Sequence, residues 1–160
     1  MKKILFILLF ITYNLSYAQD TVVNTQKKIR TLDETKDYIV RMVNAHCFER
    51  NSNTRRYNAS FENDYLRLTV INKKGTKAIN DGLLWDFASV FKFQRVSKRE
   101  NNIAFINIWM EFISNEKKDT HKKNKLVLQV QGHDEADQIL LAFRHLNELL
   151  LAKRPPIEKF

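Results

Sequence analysis

The chain has 160 residues and a formal net charge of +9, from 27 lysines and arginines against 18 aspartates and glutamates. Three glycines, two prolines and one cysteine exclude a collagen-like, low-complexity or disulfide-stapled protein and point to one packed domain. The surplus of positive charge bears on partners and solubility, not on the fold itself.

Lys2 and Lys3 precede an unbroken apolar run from Ile4 to Ile11. Ser16 and Ala18 then supply small residues at cleavage positions. This pattern predicts a signal peptide over residues 1–18 and a mature start at Gln19. The run falls well short of the roughly 20 residues that span a bilayer, so no transmembrane segment is expected in the mature chain. No cysteine follows the cleavage site, which argues against a lipoprotein. Cleavage leaves 142 residues, and the charge falls from +9 to +7 as Lys2 and Lys3 leave. The expected location is the periplasm or outside the cell. Residues 19–30 are polar and aperiodic and read as disordered, residues 31–154 as a single α+β domain, and residues 155–160 as a tail in which paired prolines stop any helix.

The first helix is expected from Thr31, where Thr31 and Glu34 have capping-box spacing. Leu32, Tyr38, Ile39, Met42 and Val43 recur at helical intervals, with Cys47 extending the stripe. From Tyr57 the period changes to two. Five strands are expected, "YNASF", "YLRLTVI", "WDFASVFKFQRV", "IAFINIWMEFI" and "KLVLQVQ", the third placing Trp85, Phe87, Phe91 and Phe93 on one face. Polar links, among them "NKKGTKAINDG" and "SNEKKDTHKKN", separate them, and the lack of crossover helices implies antiparallel pairing. A last helix follows, with Asp134 as N-cap, Glu135 and Asp137 complementing the dipole, and Ala136, Ile139, Leu140, Phe143, Leu146 and Leu150 as its apolar stripe. The fold class is therefore α+β: an N-terminal helix, an antiparallel sheet of about five strands or partly open barrel, and a C-terminal amphipathic helix.

No catalytic, metal or nucleotide signature survives weighing. His133 and Asp137 are four apart, but no further ligand completes a zinc set. His46 and Cys47 are adjacent on a helix and point about 100° apart, so they do not form a thiol–imidazole pair. Gly75, Gly82 and Gly132 are isolated, with no phosphate-cradling loop, and no cofactor is implied. The triplet Asn58-Ala59-Ser60 fits the N-glycosylation pattern, which also arises by chance. Trp85 and Trp109 read as core. The lysines carry the spatial content. In a meander, Lys73, Lys74 and Lys77 in one link gather at the same sheet end as Lys117, Lys118, Lys122, Lys123 and Lys125. Arg50, Arg55 and Arg56 join them, and the last helix returns Lys153 and Arg154 to that pole. Such a pole attracts an anionic lipid headgroup, an acidic glycan or an acidic protein face; nucleic acid is set aside for an exported chain. The favoured reading is a non-catalytic exported binding or adaptor module. The rival is a small-ligand carrier or enzyme with a cavity between sheet and last helix, lined by polar residues such as Asn107, Glu111 or Tyr65.

Ala142, Phe143, His145 and Leu146, followed by Glu158 and Phe160, resemble the closing A-F-x-H-L helix and acidic-then-Phe tail of a set of small exported proteins from Bacteroidota. The segment "LLWDFASV" is similar to their mid-domain stretch. The resemblance spans roughly Arg56 to Phe160 and transfers no functional residue. Antiparallel strands closed by a C-terminal helix are similar to pleckstrin-homology-like domains, which the resemblance implies as the fold; the first helix is an addition to that plan. A helix-grip fold is the architectural alternative. N-terminal sequencing of the exported protein is expected to begin at Gln19, and an intact Met1 would overturn the signal peptide.

Overall fold

The structure, a computed structural model, describes residues 30–154 except 51 and 53; the expected signal peptide, nearly all of the segment 19–30 and the tail 155–160 lie outside the described residues. In chain order come α1 (Leu32–His46), β1 (Cys47–Phe48), β2 (Arg56–Glu62), β3 (Tyr65–Ile71), β4 (Leu83–Asp86), a 3-10 turn (Phe87–Ser89), β5 (Lys92–Phe93), β6 (Ser97–Lys98), β7 (Ile103–Asn115), β8 (Thr120–Gln131) and α2 (His133–Lys153). The class is α+β, with two helices packed on one antiparallel sheet. The capping box at α1 forms as expected: the Glu34 amide donates to Thr31 Oγ1 at 3.3 Å and the Thr31 amide to Glu34 Oε2 at 2.9 Å.

The strands pair as a meander, β2–β3–β4–β7–β8, and close through β1, giving a six-stranded barrel. Closure is narrow. Cys47 pairs with Val130 and Phe48 with Gln129 on one side, and Phe48 alone pairs with Arg56 on the other. The sequence reading placed Cys47 on the helical stripe. It is buried, but it opens a strand, since α1 ends at His46. A two-residue strand leaves most of the β2 edge without a partner strand, and α1 covers it. Asn44 Oδ1 accepts from the Ala59 amide at 2.6 Å, and Arg56 donates to the Ala45 carbonyl at 2.8 Å, so a side chain supplies the ladder bond that a neighbouring strand would.

The third expected strand is broken. Its pieces β4 and β5, and then β6 from what was expected as a polar link, pair with β7 in succession, at Asp86↔Glu111, Lys92↔Trp109 and Ser97↔Phe105. The 3-10 turn interrupts them because Asp86 and Ser89 offer the backbone better local partners. Asp86 Oδ1 accepts from the Ala88 amide at 2.8 Å, Ser89 Oγ donates to the Asp86 carbonyl at 2.7 Å, and the Glu111 amide donates to Ser89 Oγ at 2.8 Å. The serine hydroxyl thus replaces a rung of the ladder. The turn also changes which side chains face inward. Phe87 is fully buried, stacked on Phe143 at 4.6 Å, whereas Phe91 is 58% exposed, so the expectation that both share one face fails.

Helix α2 crosses the barrel end from which the β2–β3 and β6–β7 turns emerge. Asp134 is not its N-cap. Gly132 holds that position at φ 109°, with no side-chain cap of its own. The positive φ suits glycine, and a Cβ there would collide with the Glu135 carboxylate. The capping is done from another turn: the His133 amide donates to Asn102 Oδ1 at 3.0 Å and the Gly132 amide to the Asn102 carbonyl at 2.8 Å. Asp137 instead pairs with Lys98 at 2.8 Å. The expected stripe of α2, Ala136 through Leu150, is buried, and with Phe87, Ile106, Ile108, Met110 and Leu128 it fills the barrel. At the far end of α2, Lys153 reaches Asp64 at 2.7 Å and Arg154 reaches Asp86 at 3.2 Å. They do not return to the lysine links; the helix spans one barrel end and never reaches the other. Lys36 of α1 also pairs with Asp64, at 2.8 Å, so one carboxylate in the β2–β3 turn anchors both helices. Phe143→Ala is expected to lower stability by about 3–5 kcal/mol, the usual cost of a core phenylalanine, read from a urea denaturation midpoint.

Candidate functional site

The strand directions send the β3–β4 and β7–β8 connections out of the end opposite α2. The β3–β4 loop folds on itself: the Asn72 amide donates to the Lys77 carbonyl and the Gly75 amide to the Asn72 carbonyl, both at 2.9 Å, with Gly75 at φ 72° where a side chain is disfavoured. Lys73, Lys74 and Lys77 project from it, all exposed. The β7–β8 connection is much shorter than the sequence suggested. β7 runs on to Asn115 and β8 starts at Thr120, leaving a 3-10 turn, Glu116–Lys118, with Asn115 Oδ1 accepting from the Lys118 amide at 3.1 Å. Lys117 and Lys118 therefore sit on the turn. Lys122, Lys123 and Lys125 sit on strand β8, not in a loop.

Arg67, in the middle of β3, draws the two connections together. Its guanidinium donates to both oxygens of Glu62 on β2, to Glu116 Oε1 at 2.9 Å on the β7–β8 turn, and to the Asp81 carbonyl at 3.0 Å on the β3–β4 loop. Its side chain is only 14% exposed. The hydrogen bonds that Arg67 donates to Glu62 hold the guanidinium above its already high ordinary pKa and the Glu62 carboxyl below the usual carboxylate range. Nothing local marked Arg67 in the sequence: it is one charged residue at an outward position of an alternating strand, and its partners lie up to 49 residues away.

The eight lysines differ in how their charge is used. Lys123 lies 3.9 Å from Glu111, and Lys125 sits over the Trp109 ring, 5.5 Å from its centroid. Lys73, Lys74, Lys77, Lys117, Lys118 and Lys122 make no ion pair among the described residues. Of the acids on these two connections, Glu116 is engaged by Arg67 and Asp119 lies 3.2 Å from His121, while the exposed Asp81 carboxylate makes no ion pair among the described residues. Two of the three β1–β2 arginines expected at the pole are also occupied, Arg55 by Glu49 at 3.1 Å and Arg56 by the Ala45 carbonyl and the Phe48 ring.

Tyr65, Asn107 and Glu111, the polar residues expected to line a cavity, alternate with the buried Leu66, Ile106, Ile108 and Met110 and face outward. Open depressions occur instead on the surface, one lined by Lys98 to Asn101 and another by Arg30, Glu34, Asp37, Tyr38 and Arg41. Two histidines have structural partners: His133 Nε2 lies 2.9 Å from the Arg99 carbonyl and His145 Nε2 2.9 Å from the Arg30 carbonyl. Among the described residues no group of three or more His, Cys, Asp or Glu could hold a metal ion, and no helix is long and apolar enough to cross a membrane. Cys47 is fully buried, and burial pushes its thiol well above the ordinary range, which disfavours a nucleophilic thiolate. Comparison with known proteins finds no matching family model, no similar curated protein and no similar solved structure.

The Asp64 carboxyl is held below the usual range by hydrogen bonds from Lys153 and then Lys36, and Glu62 by Arg67. Depressed carboxyls stabilise the fold fully above their unfolded values of about 4 and lose that contribution as pH falls through the lower folded values. The denaturation midpoint is therefore expected to hold between pH 7 and 5 and to fall below about pH 4. Asp64→Asn should lower the plateau and flatten that acid fall; an unchanged acid fall would show that Asp64 contributes nothing to it.

Proposed function

We propose that the protein is an exported, non-catalytic binding module of pleckstrin-homology-like architecture, whose lysine-bearing barrel end holds an anionic surface. The carrying observation is that six lysines with no ion pair among the described residues stand on or beside two connections drawn together by Arg67. Charges gathered within a Debye length, about 8 Å at physiological salt, act together on a partner where scattered charges are screened separately. The closing C-terminal helix supports the architectural part of the reading, and the Lys2–Ala18 pattern supports export.

Binding to acidic polymers or anionic vesicles is expected at low salt and should weaken steeply as salt rises. Each lysine near an anionic surface contributes about 1 kcal/mol. Replacing Lys117, Lys118, Lys122 and Lys123 by glutamine removes three unpaired charges and one shared with Glu111, and should weaken binding by about a hundredfold. Glutamine at Lys98 and Arg99, at the other barrel end, should change it far less. Equal losses in a salt-titrated binding assay would leave only general net charge, and the localised pole would be wrong.

A further inference from the structure

Among the described residues one buried side-chain polar atom has no hydrogen-bond partner, the indole nitrogen of Trp109. Such a donor costs free energy until an acceptor reaches it. The sequence reading put this tryptophan in the core with Trp85. Trp85 is buried there, but Trp109 alternates with the buried Ile108 and Met110 and faces out of the barrel wall. Its register partners are Lys92 on β5 and Lys125 on β8. A lysine thus flanks the indole on each side, the two backbones about 10 Å apart across the sheet. Lys125 lies over the Trp109 ring, and neither lysine makes an ion pair among the described residues. Phe91, 58% exposed, tilts onto the same indole at 42°, with ring centroids 6.4 Å apart. Its amide donates to the Trp109 carbonyl at 3.1 Å, which ties the exposed ring to β7. Two residues along β7, Asn107 faces the same way. Glu111, the acid of this strand, lies 3.9 Å from both Lys123 and His121.

The unengaged polar groups around the indole are therefore two ammonium ions, a side-chain amide and an N–H donor, set beside one open aromatic ring. Cations and donors suit a carboxylate. The quadrupole of an aromatic ring leaves its face negative, which suits the C–H groups on the flat side of a sugar. A simple polyanion satisfies the lysines alone. Single-stranded nucleic acid stacks on successive aromatic rings, and here Lys125 already lies over Trp109, leaving Phe91 by itself. We propose that this outer face of β5, β7 and β8 binds an acidic glycan. A uronic acid ring stacks on Phe91, its carboxylate lies between Lys92 and Lys125, and Asn107 bonds a hydroxyl. The site uses none of the six lysines that carry the barrel-end reading and does not rest on that reading.

The test titrates the exported protein at low salt, by calorimetry, with trigalacturonate, neutral maltotriose, triglutamate and a thymidylate trimer. Trigalacturonate is expected to bind most tightly of the four. Phe91→Ala removes the stacked ring from an exposed position and should weaken trigalacturonate about fivefold, with the circular dichroism spectrum unchanged. Lys92→Gln/Lys125→Gln should weaken it about tenfold through the lost charge-assisted hydrogen bonds, whereas Lys117→Gln/Lys118→Gln should change it far less. Trigalacturonate binding that is untouched by Phe91→Ala, or by the Lys92 and Lys125 pair, overturns the site. Maltotriose bound as tightly overturns the acidic assignment, triglutamate bound as tightly overturns the ring contact, and the thymidylate trimer bound as tightly overturns the glycan class. A dimer in sedimentation that Phe91→Ala dissociates shows a second copy on this face and overturns the proposal. Absence of trigalacturonate binding overturns it too, and leaves the barrel-end reading to stand or fall on its own vesicle and polymer assay.

Discussion

Two hydrogen-bonded residues, Cys47 and Phe48, join β8 to β2, and the rest of the domain is arranged around the shortness of that join. A barrel closed by full-length strands needs no help at its seam, because every backbone donor along the edge finds a partner. Here β2 continues six residues past its one pairing with β1. Something must cover that edge, and α1 does so with Asn44 on the Ala59 amide and a buried face that includes Ile39 and Val43. Helix α1 in turn packs against α2, the two tied by the Tyr38 hydroxyl and Gln138 at 2.9 Å and by their shared hold on Asp64. The N-terminal helix is thus part of the barrel wall.

Charge is handled differently at the two barrel ends. Across the α2 end, Lys36, Lys98, Lys153 and Arg154 each meet a carboxylate, and these contacts fix helices to turns. Exposed pairs of this kind are individually weak, but Asp64 and Asp86 each hold elements distant in sequence, so their effect falls on tertiary arrangement. At the opposite end Arg67 takes up Glu116, and six lysines make no ion pair among the described residues. Unneutralised like charges cost a domain stability through mutual repulsion. A functional use for that cost is the physical rationale for the reading argued above.

What was legible in the sequence follows from how local the determining interactions are. The Thr31–Glu34 capping box needs only four consecutive residues, and it forms as read. The alternation in β3, β7 and β8 reports a two-sided environment directly, and the buried residues fall where the period puts them. The α2 cap was misread because Asp134 satisfies the local pattern, whereas the actual acceptor, Asn102, lies 31 residues from His133. The break in the Trp85–Val96 run was hidden because apolar residues occur at both parities there, so periodicity could not reveal that Phe87 and Phe91 part company. β1 is too short to carry any period. At the candidate site the lysines were visible as residues, but the contacts of Arg67 arise only once three separate strands are in register.

The position of the single cysteine has a practical consequence. Cys47 lies at the seam itself, fully buried and with its thiol strongly disfavoured as thiolate. A thiol reagent can reach it only when β1 detaches from Val130 and Arg56 or when the whole domain unfolds. Alkylation of native protein therefore acts as a clock for seam opening, with every labelled molecule recording one opening event. Because no second cysteine competes for reagent, the labelling rate, set beside the global unfolding rate, separates a barrel that breathes at its seam from one that comes apart only as a unit.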